Sequence, residues 1–106
     1  MSTLSTHILD AVRGAPAAGV AVTLLAADDT ASATAVTDAD GRIARLGESL
    51  GPGVHRVRFA TAEYFAAQGV ETFYPEVTIA FTVAEERHYH VPLLLSPFAY
   101  STYRGS

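Results

Sequence analysis

With 106 residues, 49% of them apolar and 17% charged, the chain has the make-up of one folded domain spanning residues 1–106. A domain of that size buries about two thirds of the surface its unfolded form would expose. The net charge of −4 offers no cluster of cations for phosphate, so nucleic acid is not an expected partner. Cysteine and lysine are both absent, which removes disulfides, thiolate nucleophiles, thiolate metal sites, Schiff bases and lysine general bases together.

The opening MSTLSTHILDAV has no basic flank and no long apolar run. Neither a signal peptide nor a membrane span is expected there, and the expected location is the cytoplasm. Period-two alternation predicts a first strand over 5–11, with His7 and Leu9 on one face and Ile8 on the other. GVAVTLLAAD forms a second strand, with Val20, Val22 and Leu24 on one face. Strands are predicted at 31–37 and, beyond the turn TDADGR, at 42–46 and 54–59. In that turn, Asp supplies side-chain hydrogen bonds and Gly the positive φ of a tight reversal. ATAEYFAAQG breaks the alternation and is rich in helix formers, predicting a two-turn helix over 61–68 that stops at Gly69. EVTIAFTVA returns to the strand pattern, with Val77, Ile79, Phe81 and Val83 opposite Thr78 and Thr82. Strands at 89–95 and 100–104 complete about eight, the pattern of an all-β sandwich or barrel.

Chemistry falls to four histidines and the arginines. On a strand, His88 and His90 share a face with Pro92 and Leu94, while Tyr89, Val91, Leu93 and Leu95 take the other. Pro92 lacks a backbone donor and predicts an interruption or an exposed position in that strand. Each histidine alone reads most simply as a solvated or hydrogen-bonded strand residue. His88 and His90, two apart, also suit zinc if His7 supplies a third ligand, although no carboxylate pattern supports such a site. Arg42, at the start of a strand, reads from spacing alone as an ordinary exposed arginine, and His55 has no functional case.

Taken in order, LSTHILDAVRGAPAAGV, TDADGRI, TFYPEV and HYHVPLLLSPFAYSTYRGS resemble the signature segments of the 5-hydroxyisourate hydrolases, the transthyretin-related family. The resemblance spans nearly the whole chain, and HYHVPLLLSP and YRGS are its most specific parts. It implies a transthyretin-like sandwich of two four-stranded sheets with one short helix, assembled as a homotetramer, a dimer of dimers. It also implies hydrolytic ring opening of 5-hydroxyisourate, in urate catabolism, to 2-oxo-4-hydroxy-4-carboxy-5-ureidoimidazoline, with no metal or organic cofactor. The family's catalytic positions fall on His7, Arg42, His90 and Ser106, and its substrate-binding positions on Tyr103, Arg104 and Gly105. His88 is either a neighbour that supports His90 or a surface histidine. Ala99 departs from the family's usual glycine, which puts the final turn in question if that position needs positive φ.

The residue types suit the chemistry that the resemblance implies. Opening a ring at an acyl carbon needs an activated water, a stabilised oxyanion and a proton for the departing nitrogen. Histidine exchanges protons near neutrality, and arginine's permanently charged fork holds a urate-like ring and a developing oxyanion. A non-catalytic carrier of small aromatic ligands on the same fold, and a zinc amidohydrolase using His7, His88 and His90, are the competing expectations.

Overall fold

The computed structural model describes residues 2–105, in which ten strands form two sheets and one helix stands apart from them. The first sheet is organised by β1 (Thr3–Asp10), against which four strands pair. On one side lie β8 (His88–His90) and then β9 (Leu93–Leu95), both parallel to β1, with β10 (Tyr100–Thr102) antiparallel beyond β9. On the other side, β5 (Arg42–Ile43) pairs with the middle of β1 and β2 (Ala15–Pro16) with its end, both antiparallel. The second sheet runs β4 (Ala31–Val36), β3 (Ala21–Leu25), β6 (Gly53–Phe59), β7 (Val77–Val83), all antiparallel.

The strand predicted over 89–95 is thus two strands in line, parted at Val91 and Pro92 because proline cannot donate to the ladder. Val91 still donates to the Ser5 carbonyl, and the Pro92 carbonyl accepts from the Thr102 hydroxyl, so the break is local. Taking β8 with β9 and β5 with β2 as interrupted ribbons, the first sheet is four ribbons wide. Its six short strands are therefore the expected four-stranded sheet, subdivided. Helix α1 (Thr61–Ala66) is shorter than the predicted 61–68, with Gly69 beyond it at φ 69° as a stop residue.

One core joins the sheets. Leu4, Ile8, Leu93 and Leu95 from the first meet Val22, Val57, Phe59 and Val77 from the second, all essentially inaccessible, with Phe65 of α1 closing one side. Each such side chain contributes about 1.5–3 kcal/mol relative to an exposed one. No helix among the described residues is long and apolar enough to cross a membrane.

A buried acid fixes the end of β1. Asp10 accepts from the backbone amides of Val12 and Arg13 through Oδ1, and from the Tyr64 hydroxyl of α1 through Oδ2 at 2.7 Å. Burial first, and then this bond to Asp10, push the Tyr64 phenol above its ordinary pKa of 10.0. Tyr64→Phe removes the donor and strands a buried oxygen, so chemical denaturation should show a loss of about 1–3 kcal/mol while the sheets keep their register. An unchanged midpoint would mean that water replaces the phenol at no cost.

Candidate active site

Alternation gives β1 two unlike faces. Leu4, Thr6, Ile8 and Asp10 point inward and are buried, while Thr3, Ser5 and His7 occupy the outward face. Register then assembles the site. His7 stands directly opposite Arg42 in the β1–β5 pair, and Ser5 opposite His90 in the β1–β8 pair. Cross-strand partners share a face, so His7, Arg42 and His90 converge although they are far apart in sequence.

The turn before β5 aims Arg42. Asp38 Oδ1 accepts from the amides of Asp40 and Arg42, each at 2.9 Å, and the Asp38 carbonyl accepts from Gly41. Gly41 is required here on two counts. Its φ is 72°, and a Cβ would run into the Ile8 carbonyl of the adjoining strand. This is the tight reversal that TDADGR predicts, and it delivers an exposed guanidinium next to His7.

His90 is half-buried, and its Nδ1 lies 2.7 Å from Ser5 Oγ. Burial first, then the Arg42 charge and the His7 and His88 rings, hold its pKa below the ordinary 6.5. The neutral imidazole, with a lone pair available, is therefore the prevailing form near pH 7. His90 also divides two recesses. One, of about 250 Å³, is lined by Ser5, Thr6, Arg42, Ile43, Ala44 and His90. The other is a more apolar groove that includes Phe81, Tyr89, His90, Tyr103 and Arg104.

Of the expected substrate-binding residues, exposed Tyr103 and Arg104 line the second recess and not the first. Gly105 returns to the first sheet by donating its amide to the His90 carbonyl at 2.9 Å. What demands glycine at 105 is space, since a Cβ would strike the His90 ring, and its φ is not in the left-handed region. Ser106, the remaining expected catalytic residue, lies outside the described residues. Ala99 causes no strain, because its φ is not positive and its carbonyl accepts from both the amide and the hydroxyl of Ser96.

His88 is where the zinc expectation meets a conflict. Its Nδ1 lies 2.6 Å from Thr3 Oγ1 and its Nε2 2.7 Å from Ser5 Oγ, so both ring nitrogens are engaged by hydroxyls. Neither is left to ligate a metal, and among the described residues no group of three or more His, Cys, Asp or Glu is arranged to hold one. His55 binds the Gly51 carbonyl and lies against Phe81, away from this face. Ser5 was the residue that sequence reasoning missed. The signal was present, since Ser5 is two residues before His7 on the same face.

Comparison with known proteins bears on the whole chain. A model described as the HIUase/Transthyretin family matches residues 4–105. The 5-hydroxyisourate hydrolase of Caulobacter vibrioides is 48% identical over 116 residues, covering 100% of both chains. That of Salmonella typhimurium is 48% identical over 109 residues, covering 97% of this chain and 80% of the relative. The structure of Klebsiella pneumoniae 5-hydroxyisourate hydrolase superposes with a TM-score of 0.91 at 42% identity, over 100% of this chain and 94% of that one. Sea bream transthyretin in complex with thyroxine superposes with a TM-score of 0.88, also at 42% identity, over 96% of this chain and 93% of that one. With a family model matched almost end to end, relatives near half identity over 80% to 100% of their length and the same sandwich in solved structures, the chain belongs to the HIUase/transthyretin family.

Proposed function

We propose that the chain is a single hydrolase domain over residues 1–106 that opens the ring of 5-hydroxyisourate without a metal or organic cofactor. The observation that carries this reading is the convergence of His7, Arg42 and His90 on one outward face, two of them direct partners across a pair of strands. Similarity of fold does not separate hydrolase from carrier, because a thyroxine complex superposes nearly as well as a hydrolase. The side chains favour the hydrolase. A carrier of an aromatic ligand has no need of a neutral imidazole held beside a guanidinium.

His90 takes a proton from water, and the oxygen bonds to the acyl carbon of the ring. Arg42 stabilises the negative charge that develops on the acyl oxygen. The ring C–N bond then breaks, the departing nitrogen takes up a proton and a carboxylate is left. His7, opposite Arg42, orients the substrate and the attacking water. Arg104 and Tyr103 hold the substrate from the far side of His90, and Gly105 admits the chain close to the ring of that residue. Ser106 is assigned to the same hydrogen-bond network from the family resemblance.

The test is to generate 5-hydroxyisourate with urate oxidase and follow its decay optically. The protein should accelerate decay, and His7→Ala, Arg42→Ala and His90→Ala should each slow turnover at least about a hundredfold, the scale of a lost proton-transfer or oxyanion-stabilising group. His55→Ala should retain activity. Decay no faster than in buffer at micromolar protein would overturn the reading.

Acid should inactivate the enzyme through His90. Protonation removes the base, so kcat/KM should fall as pH drops through a pKa below 6.5. Because the Arg42 cation disfavours a second positive charge, Arg42→Ala should move the His90 midpoint upward in an NMR titration. A downward move would show that the guanidinium acts on His90 in some other way.

We further propose assembly as a homotetramer, a dimer of dimers. Leu9 and Leu94 are direct strand partners and both exposed, and Val12, Phe98 and Tyr100 are also accessible, an apolar surface larger than scattered single residues leave. Sedimentation should give a particle of four chains. A monomer with full activity would show that the site functions without subunit contact.

A further inference from the structure

Ser5 stands between two imidazoles. Its Oγ lies 2.7 Å from His90 Nδ1 and 2.7 Å from His88 Nε2, while Thr3 Oγ1 lies 2.6 Å from His88 Nδ1. A serine hydroxyl carries one proton and two acceptor lone pairs, so Ser5 can donate to one of its two nitrogens and accept from the other, or accept from both. A continuous donor–acceptor chain through Ser5 has two arrangements for a pair of neutral rings. In the first, His90 Nδ1–H donates to Ser5, Ser5 donates to His88 Nε2, and His88 Nδ1–H donates to Thr3. In the second, every bond is reversed, and both rings carry their proton on Nε2. In either chain the two histidines share one tautomer, whereas acceptance by Ser5 from both rings would give them opposite tautomers and break the chain.

We propose that Ser5 and His88 are positioning residues that form a proton relay with His90, keeping its Nε2 open to the substrate and storing on His88 the proton taken from water. This rests on the hydrolase reading of His90. In the first arrangement, His90 Nε2 accepts a proton from water as the hydroxide oxygen bonds to the acyl carbon. The His90 Nδ1 proton passes to Ser5 Oγ, and the proton Ser5 already held passes to His88 Nε2. His90 ends neutral with its proton on Nε2, and His88 ends as imidazolium. The positive charge on His88 balances the negative charge on the tetrahedral oxygen. When the ring C–N bond breaks, His90 Nε2–H protonates the nitrogen, and the relay runs backward to restore the starting state. No other reactant is required.

The physical gain lies in where the charge resides. A second proton on His90 would place a cation in a half-buried position beside Arg42, whereas His88 is exposed and its charge can be hydrated. Ser5 is 8% exposed, which keeps bulk water from bypassing the relay at its midpoint.

Nitrogen-15 NMR of the histidine rings in the native protein reads the tautomers directly. His88 and His90 should show the same tautomer, and opposite tautomers would overturn the relay. Ser5→Ala should uncouple the rings and lower kcat about ten- to a hundredfold, the scale on which hydrogen-bond partners orient imidazoles at metal sites, with KM little changed. His88→Gln retains a group that hydrogen-bonds but cannot store a proton, so it should lower kcat similarly, and the double variant should lose no more than Ser5→Ala alone. Full kcat in His88→Gln, or additive losses in the double variant, would refute the proposal. If Ser5→Ala fails to fold, the native tautomers and His88→Gln still decide. Failure of the hydrolase reading is separate: it appears as wild-type protein that leaves substrate decay unchanged, and the shared tautomer is then still measured on its own.

Discussion

Everything at this site depends on the two-residue period of β1. A strand that pairs with four others cannot slip, because a shift of one residue would turn Leu4 and Ile8 outward and Ser5 and His7 into the core. The core and the site are thus opposite faces of one strand. Packing energy from Leu4 and Ile8 fixes the position of His7, with no separate device to aim it. The same register sets Arg42 and His90 on either side, which is how a small sandwich holds three functional groups on short strands.

Electrostatics then divides the labour between the groups. Arginine keeps its charge under all ordinary conditions and so can stabilise an anion without joining the proton traffic. Its presence, together with burial, favours neutral His90, which is the state the proposed base needs. The arrangement uses one unconditional charge to bias one conditional charge. Hydroxyls fill the remaining hydrogen-bonding positions: Thr3 and Ser5 contact three ring nitrogens of His88 and His90, leaving His90 Nε2 without a hydrogen-bond partner among the described residues.

Backbone irregularities make room for the proposed chemistry. Pro92, two residues beyond His90, separates β8 from β9, and Gly105 brings the chain back against His90 without a Cβ in the way. His90 therefore has a recess lined by Ser5, Thr6 and Arg42 on one side and a more apolar groove on the other. A planar heterocycle with polar edges is matched by such a pair of surfaces, since its rim seeks hydrogen bonds and its faces seek apolar contact.

Much of this protein could be read from its sequence, for local reasons. Alternation at Val20, Val22 and Leu24 and at Val77 to Val83 identified strands and their buried faces, because side chains on a strand have no other choice of direction. TDADGR announced its turn through the conformational freedom of glycine and the hydrogen bonds of Asp38, and Pro92 announced a break through its missing donor. The family resemblance named the residues expected at the site but carried no geometry. Only the tertiary structure decided that β1 is the strand everything else pairs with, that Ser5 bridges His88 and His90, and that Tyr103 and Arg104 lie across His90 from Arg42. Those are matters of contact between distant segments, Ser5 and the two histidines lying more than eighty residues apart, and no local preference specifies which distant strand a given strand will find. That choice is made when the apolar faces close into one core, and the outward residues are carried to their neighbours with it.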